Sequence, residues 1–292
     1  MKDTPVGYAP IAMQRNPRLR DARIESDLDR DGFVVVDDVL DSTEMAHLAE
    51  VFRTHDSPLH QAAFSASILS DDVAYRQAVD REIRAVLQSH SDALFHDYRL
   101  CFSNFSIKHP QTPPPAGAPA VGSTGEVLLH QDITFVDESR YQSLALWCPL
   151  VDTHPGNGCL YAVPGSHRWN TGPRGPGTPY PYRALDSAVQ KQLKAIPMRA
   201  GSAFIFCQKL FHASPPNTSG ATRVVVTGLA VPREAQLLCC YPAPDSPARL
   251  EVYAVDDAFY SHYIYRSRPT GVPRIGTIDF YHDPLGPGQL HE

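Results

Sequence analysis

The segment Leu128-Leu129-His130-Gln131-Asp132 puts an imidazole and a carboxylate two positions apart at the end of an apolar run. On extended backbone, residues i and i+2 leave from the same face. His130 and Asp132 can therefore form two legs of a metal site, with Gln131 facing away. Such pairs also arise by chance, usually solvated or hydrogen-bonded, so a third ligand must come from elsewhere. His212, in Phe211-His212-Ala213-Ser214-Pro215-Pro216-Asn217, is the candidate; it follows a glycine turn and an apolar strand pattern at Gly201-Ser202-Ala203-Phe204-Ile205-Phe206. Two histidines and one carboxylate on one face of an octahedral ion leave three positions open, which suits non-haem Fe(II) binding a cosubstrate and O2 together. Eleven residues after His212, Arg223 opens the apolar strand Val224-Val225-Val226-Thr227. A guanidinium there enters a half-buried region, which is costly without an anion. A dicarboxylate cosubstrate held on iron at its other end would supply that anion; so would a surface Asp or Glu.

The elements that must position these residues are legible in part. Asp31-Gly32 is a turn before the strand Phe33-Val34-Val35-Val36. Asp41-Ser42-Thr43-Glu44 is a capping-box pattern ahead of Met45, Leu48, Val51 and Phe52 at helical spacing. Asp71-Asp72 opens a second helix with the stripe Tyr75, Val79, Ile83, Val86 and Leu87. From about residue 97 the pattern turns to short β-type runs: 100–102, 105–107, 127–129, 143–150, 159–163, 203–207, 223–231 and 250–255, with a short helical run near 186–195. Residues 1–25 read as a polar arm. The Pro/Gly-rich stretches 109–126 and 170–183 read as loops at the mouth of the site. Phe135, Tyr141, Tyr180 and Tyr182 are candidate pocket aromatics, and the Tyr/Arg-rich stretch from Tyr253 to Tyr281 either covers the site or forms a subunit contact. His96, His109, His154 and His167 are read as non-ligands. Helices followed by many short strands indicate one α+β domain, mainly β, spanning 1–292 with a sandwich or barrel core.

Composition narrows the function classes. The chain has 292 residues, 26 basic and 32 acidic, a formal charge of −6. That argues against coating a nucleic acid, where affinity comes from cationic neutralisation of phosphate. No apolar run is long enough to span a bilayer, and the first residues lack an apolar signal core. The six cysteines contain no CxxC pair, so reduced, buried thiols and a cytoplasmic setting are expected. The expected partner is a small-molecule substrate, with no nucleic acid and no membrane, on a monomer or homodimer.

Taken in order, Asp31-Gly32-Phe33-Val34-Val35, His130-Gln131-Asp132, Asn157-Gly158-Cys159-Leu160, Pro164-Gly165-Ser166-His167 and His212-Ala213-Ser214 with Asn217 and Arg223 resemble the phytanoyl-CoA dioxygenase (PhyH-like) family of Fe(II)/2-oxoglutarate-dependent oxygenases. The resemblance implies a double-stranded β-helix, a cupin-like jelly roll, with buttressing N-terminal helices. It implies His130, Asp132 and His212 as iron ligands and Arg223 as partner of the distal carboxylate of 2-oxoglutarate, with Ser214 as a hydroxyl helper. It further implies Trp147 as an aromatic wall of the cosubstrate pocket and Lys108 as a cosubstrate-contacting lysine. Related halogenases replace the carboxylate ligand with a small residue; with Asp132 present, hydroxylation of an unactivated C–H of a metabolite is the implied reaction, 2-oxoglutarate leaving as succinate and CO2. A natural-product biosynthetic role fits the family. Desaturation, cyclisation or epoxidation is the alternative outcome, and a non-catalytic jelly-roll metal- or ligand-binding protein the alternative class.

Overall fold

A computed structural model describes residues 17–55, 62–111, 125–169, 171–178, 180–286 and 289. The chain begins with α1 (Ala22–Asp31), β1 (Phe33–Val36), α2 (Ser42–Thr54), β2 (Phe64–Ala66) and α3 (Val73–Leu94). It continues through β3 (Tyr98–Lys108), β4 (Val127–His130), β5 (Leu144–Pro149), β6 (Leu160–Ala162), α4 (Asp186–Gln190), β7 (Lys194–Ile196), β8 (Ala203–Cys207), β9 (His212–Ser214) and β10 (Arg223–Pro232). It ends with β11 (Leu237–Ala243), β12 (Ser246–Val255), α5 (Phe259–His262) and β13 (Arg274–Asp279).

The strands form a six-stranded sheet in the order β1-β8-β5-β10-β3-β2, a four-stranded sheet in the order β4-β9-β6-β7 and a three-stranded sheet β11-β12-β13. The pairings are antiparallel throughout. The first two sheets are the walls of the expected jelly roll. Side-chain alternation divides the large sheet between two cores. On β5, Leu144, Leu146 and Cys148 join Leu48, Val51, Val79, Ile83 and Leu87 of the helices. The intervening Ala145 and Trp147 join Leu160, Ala162 and Ile196 of the small sheet. With both faces covered, β5 is buried at every position, and so reads as a continuous apolar run, not an alternating one.

The helices dock as their sequences require. Asp41 Oδ1 accepts from Glu44 N at 2.8 Å while Glu44 Oε2 accepts from Asp41 N at 3.0 Å, completing the capping box of α2. Asp72 caps α3 through Tyr75 N at 3.0 Å. Val79, Ile83 and Leu87 are wholly buried, each stabilising the fold by roughly 1.5–3 kcal/mol. The polar arm needs correction. Arg18 and Leu19 are buried and α1 starts at Ala22. Glu25 anchors this entry by accepting from Leu19 N at 2.9 Å and Arg18 Nε at 2.9 Å. The helix escapes periodicity because its only large apolar residues are Ile24 and Leu28. Residues 1–16 lie outside the described residues.

The two β-type runs at 100–107 are one strand, β3, eleven residues long. The stretch 186–195 is a five-residue helix leading toward β7. All six cysteines are free and buried. Among the described residues no helix is long and apolar enough to cross a membrane.

Candidate metal centre and its pocket

β4 and β9 are neighbours in the small sheet, and their register sets His130 opposite His212. Asp132 lies two residues beyond the end of β4. One ligand atom from each of the three residues lies within 4.8 Å of the others, the only such cluster of three among the described residues. His130 Nε2 is 3.8 Å from Asp132 Oδ1, and the two imidazole centroids are 4.3 Å apart. Each Nδ1 faces a carbonyl two residues back along the chain, Leu128 O at 2.8 Å and Leu210 O at 3.0 Å. An Nδ1–H donating there leaves each Nε2 lone pair bare, the tautomer a metal requires. Desolvation, with the adjacent His212 ring second, pushes His130 down to about 4, so that ring stays neutral near pH 7. The donor set therefore fits a divalent cation.

Asp132 is braced by a residue that the sequence reading missed. Arg174 Nε donates to Asp132 O at 2.7 Å, and its two terminal nitrogens grip Glu138 at 2.6 and 2.9 Å. The pair lies some forty residues apart in sequence, and no local pattern announces it. This corrects the reading of 170–183 as a mouth loop: Arg174 within it buttresses Asp132, and none of its described residues lines the pocket. Of the stretch 109–126, residues 112–124 lie outside the described residues.

The pocket between the sheets has a volume of about 320 Å³. The triad, Arg223, Ser214, Trp147 and Lys108 all line it. Arg223 is 1% exposed. Its Nη1 donates to Gly158 O at 2.8 Å, its Nη2 reaches Ser106 Oγ at 3.4 Å, and its Nε has no partner. Its guanidinium carbon stands 5.3 Å from the centre of the Trp147 ring. No carboxylate pairs with it among the described residues, so the surface ion pair is absent. Burial drives its pKa down to about 9. Ser214 Oγ is committed to Gly158 O at 2.8 Å, which places its hydroxyl on the same carbonyl that holds Arg223.

Lys108 lies opposite Arg223 in the β3–β10 register and is wholly buried. Its Nζ donates to Ser214 O at 2.8 Å and to Pro215 O. Burial first, then the Arg223 charge, pushes the ammonium down to about 7. The unfolded chain thus holds this proton up to the ordinary lysine range near ~10.4, while the native state releases it near 7. Native stability rises with pH between those values and is flat, at its lower level, below them. Lys108→Met is expected to remove that rise, read from denaturation midpoints of the metal-free protein against pH.

Gly158 is the pivot of this corner. Its φ is +78°, and a Cβ there would lie 2.7 Å from Pro215 O and 2.8 Å from Lys108 Cδ. Gly158→Ala is expected to cost more than ~1 kcal/mol, a fall of at least about 2 °C in melting temperature; an unchanged melt would contradict this account of the corner.

Other candidates scatter. Phe135 lines the pocket and Tyr141 does not. Tyr180 and Tyr182 pack with Trp169 and Phe211 in a separate aromatic cluster. The histidines read as non-ligands, His96, His109, His154 and His167, stay outside the metal cluster: His167 is buried against Gly32, His154 accepts from Gly156 N at 3.2 Å, and His109 meets Thr222 Oγ1 at 3.1 Å. Gln131 donates to Lys209 O at 2.6 Å. The C-terminal stretch covers the site, since Tyr260, Tyr263 and Tyr265 line the pocket. Glu251 clasps that stretch through Arg268 at 2.5 Å and Tyr253 Oη at 2.7 Å.

The sequence profile of the phytanoyl-CoA dioxygenase (PhyH) family matches residues 28–225. The chain belongs to this family. The match runs from α1 through Arg223 and so includes the triad and the buried cations. The Phytanoyl-CoA dioxygenase of Arabidopsis thaliana is 36% identical over 111 residues, covering 36% of this chain and 38% of the relative. The matched region thus spans about two fifths of that relative's length. Among solved structures, the non-haem alpha ketoglutarate dependent carbocyclase SnoK from nogalamycin biosynthesis superposes with a TM-score of 0.52 at 18% identity, covering 76% of this chain and 90% of its own. HygX from Streptomyces hygroscopicus, with nickel and 2-oxoglutarate bound, gives 0.53 at 14% identity, covering 73% and 88%. At such identities these two likenesses are of fold, and they agree with a PhyH-family jelly roll.

Proposed function

We propose that this PhyH-family protein is an Fe(II)/2-oxoglutarate-dependent oxygenase that hydroxylates a small molecule. The observation that carries the reading is one pocket holding a two-imidazole, one-carboxylate triad together with a buried guanidinium that has no carboxylate of its own among the described residues. His130, Asp132 and His212 would hold the iron. Arg223 would receive the distal carboxylate of 2-oxoglutarate, with Trp147 walling that end. Lys108 and Ser214 flank the same corner; Lys108 adds positive potential, and Ser214 holds Gly158 O in place. When bound, Fe(II), 2-oxoglutarate and O2 supply the oxidising power to break an unactivated C–H bond, with succinate and CO2 as coproducts. The chain's own contribution is to orient both partners and keep water out of an apolar pocket.

Anaerobic titration of the metal-free protein with Fe(II) and 2-oxoglutarate should give the weak visible charge-transfer band of the chelate. Succinate release with a product heavier by one oxygen would support hydroxylation, whereas loss of two hydrogens would replace it by desaturation or ring closure. Tight zinc and indifference to 2-oxoglutarate would favour a binding protein.

A further inference from the structure

Strand alternation makes a chemical gradient along the pocket. Lys108, Ser106, Asn104 and Phe102, every second residue of β3, line it. Their partners on β10 keep step, Arg223 opposite Lys108, Thr227 opposite Asn104 and Leu229 opposite Phe102. Over roughly 20 Å of strand, at ~3.3 Å per residue, the wall passes from two cations through one amide–hydroxyl pair to hydrocarbon. The charged side chains of the lining are Lys108, Asp132 and Arg223, joined by the imidazoles His130 and His212, all of them already assigned to metal and cosubstrate.

The far end is built of rings. Phe102, Phe135 and Tyr260 pack mutually, with centroids 5.0 to 5.6 Å apart. The tyrosine hydroxyls turn back into the protein, Tyr260 Oη to Leu238 O at 2.5 Å and Tyr263 Oη to Ser267 O at 2.6 Å. They present ring surface to an occupant and keep their polar tips satisfied elsewhere. At mid-pocket, Thr227 Oγ1 donates to Asn104 O at 3.3 Å and accepts from Asn104 Nδ2 at 2.6 Å. That leaves Asn104 Oδ1 as an acceptor without a partner among the described residues. No charged side chain lines the ring end, and Arg76 behind it spends its Nη1 on the carbonyls of Ile68 and Tyr263; an ionised group there would lose its hydration with no counter-charge in the lining, at a cost of several kcal/mol.

We infer that the substrate is an uncharged, ring-bearing, largely apolar molecule that rests on Phe102, Phe135 and Tyr260 and donates one hydrogen bond to Asn104. This rests on the oxygenase reading, which assigns the charged end to iron and 2-oxoglutarate. The test is fluorescence titration of the full chain loaded with Ni(II) and 2-oxoglutarate, so that no turnover occurs. Two probes share one skeleton: N-phenyl-1-naphthylamine is neutral and carries an N–H, and 8-anilinonaphthalene-1-sulfonate adds a sulfonate. The neutral probe should bind at least about tenfold tighter, equal concentrations of palmitoyl-CoA should fail to displace it, and Asn104→Leu should weaken it. Leu69, 39% exposed at the pocket edge, can be changed without disturbing the core; Leu69→Lys should narrow the neutral-to-anionic ratio at least about threefold. Equal or tighter binding of the sulfonate, displacement by palmitoyl-CoA, or a ratio indifferent to Leu69→Lys would overturn the inference. Calorimetry of 2-oxoglutarate on the same samples separates this from the oxygenase reading. If the cosubstrate binds and the probe preference fails, only the substrate class falls; if the cosubstrate does not bind, the oxygenase reading falls.

Discussion

His212→Ala and Asp132→Ala each abolish the Fe(II)/2-oxoglutarate chelate band and succinate release, with metal affinity down by well over 100-fold. Loss of an outer partner of a metal ligand already costs 10–100-fold, and these changes remove a ligand outright. His212 is 5% exposed on β9, its backbone held by pairing with His130 and Ala162, and the described residues hold no second cluster of three metal-ligating groups. Asp132 supplies the carboxylate of the triad, and without it two neutral imidazoles face a divalent cation. The fold should survive both changes, because neither side chain belongs to the apolar clusters that pack the sheets. Far-ultraviolet circular dichroism and the melt of the metal-free variants check this. A variant that keeps iron affinity within tenfold of the parent would remove the triad from the mechanism.

Arg223→Met raises KM for 2-oxoglutarate strongly while the metal-free protein melts at the same temperature or higher. Truncating one partner of a buried, hydrogen-bonded charge pair costs roughly 2–5 kcal/mol, at least about 30-fold in KM. The stability half of the expectation has the opposite cause. Without cosubstrate the guanidinium is buried with no counter-charge and its Nε lacks a partner; replacing such an ion by an apolar side chain of similar volume is often neutral or stabilising. A structural salt bridge would behave the other way, losing stability with the charge. A variant that melts lower and retains its KM would therefore reassign Arg223 to the scaffold.

The chain by itself determined the chemistry-bearing residues in their local frames. His130 and Asp132 were legible because a two-residue spacing on extended backbone has one geometric meaning, and Asp41, Glu44 and Asp72 because helix caps are set by a few neighbouring atoms. The jelly roll with buttressing helices, and the places of Lys108, Ser214 and Trp147, came from the ordered set of family motifs, each too short to speak alone. Spacing could nominate His212 and Arg223 but not join them to His130.

Tertiary structure decided the rest, because it depends on contacts distant in sequence. The pairing of β4 with β9 brings His212 to His130 across 82 residues. The Arg174–Glu138 clasp on Asp132 crosses from one loop to another, so a proline-rich stretch that looked like a mouth loop is a buttress. α1 was hidden because two apolar residues make too faint a stripe, and only its docking against the core shows what they bury. The tyrosines after β12 fell between two readings until the Glu251 clasp set them over the pocket. Tyr180 and Tyr182, chemically equivalent candidates, went instead to the cluster around Phe211. Residue type says what a ring can do; which cavity it faces is settled by the strand register and the ion pairs that fold its segment back.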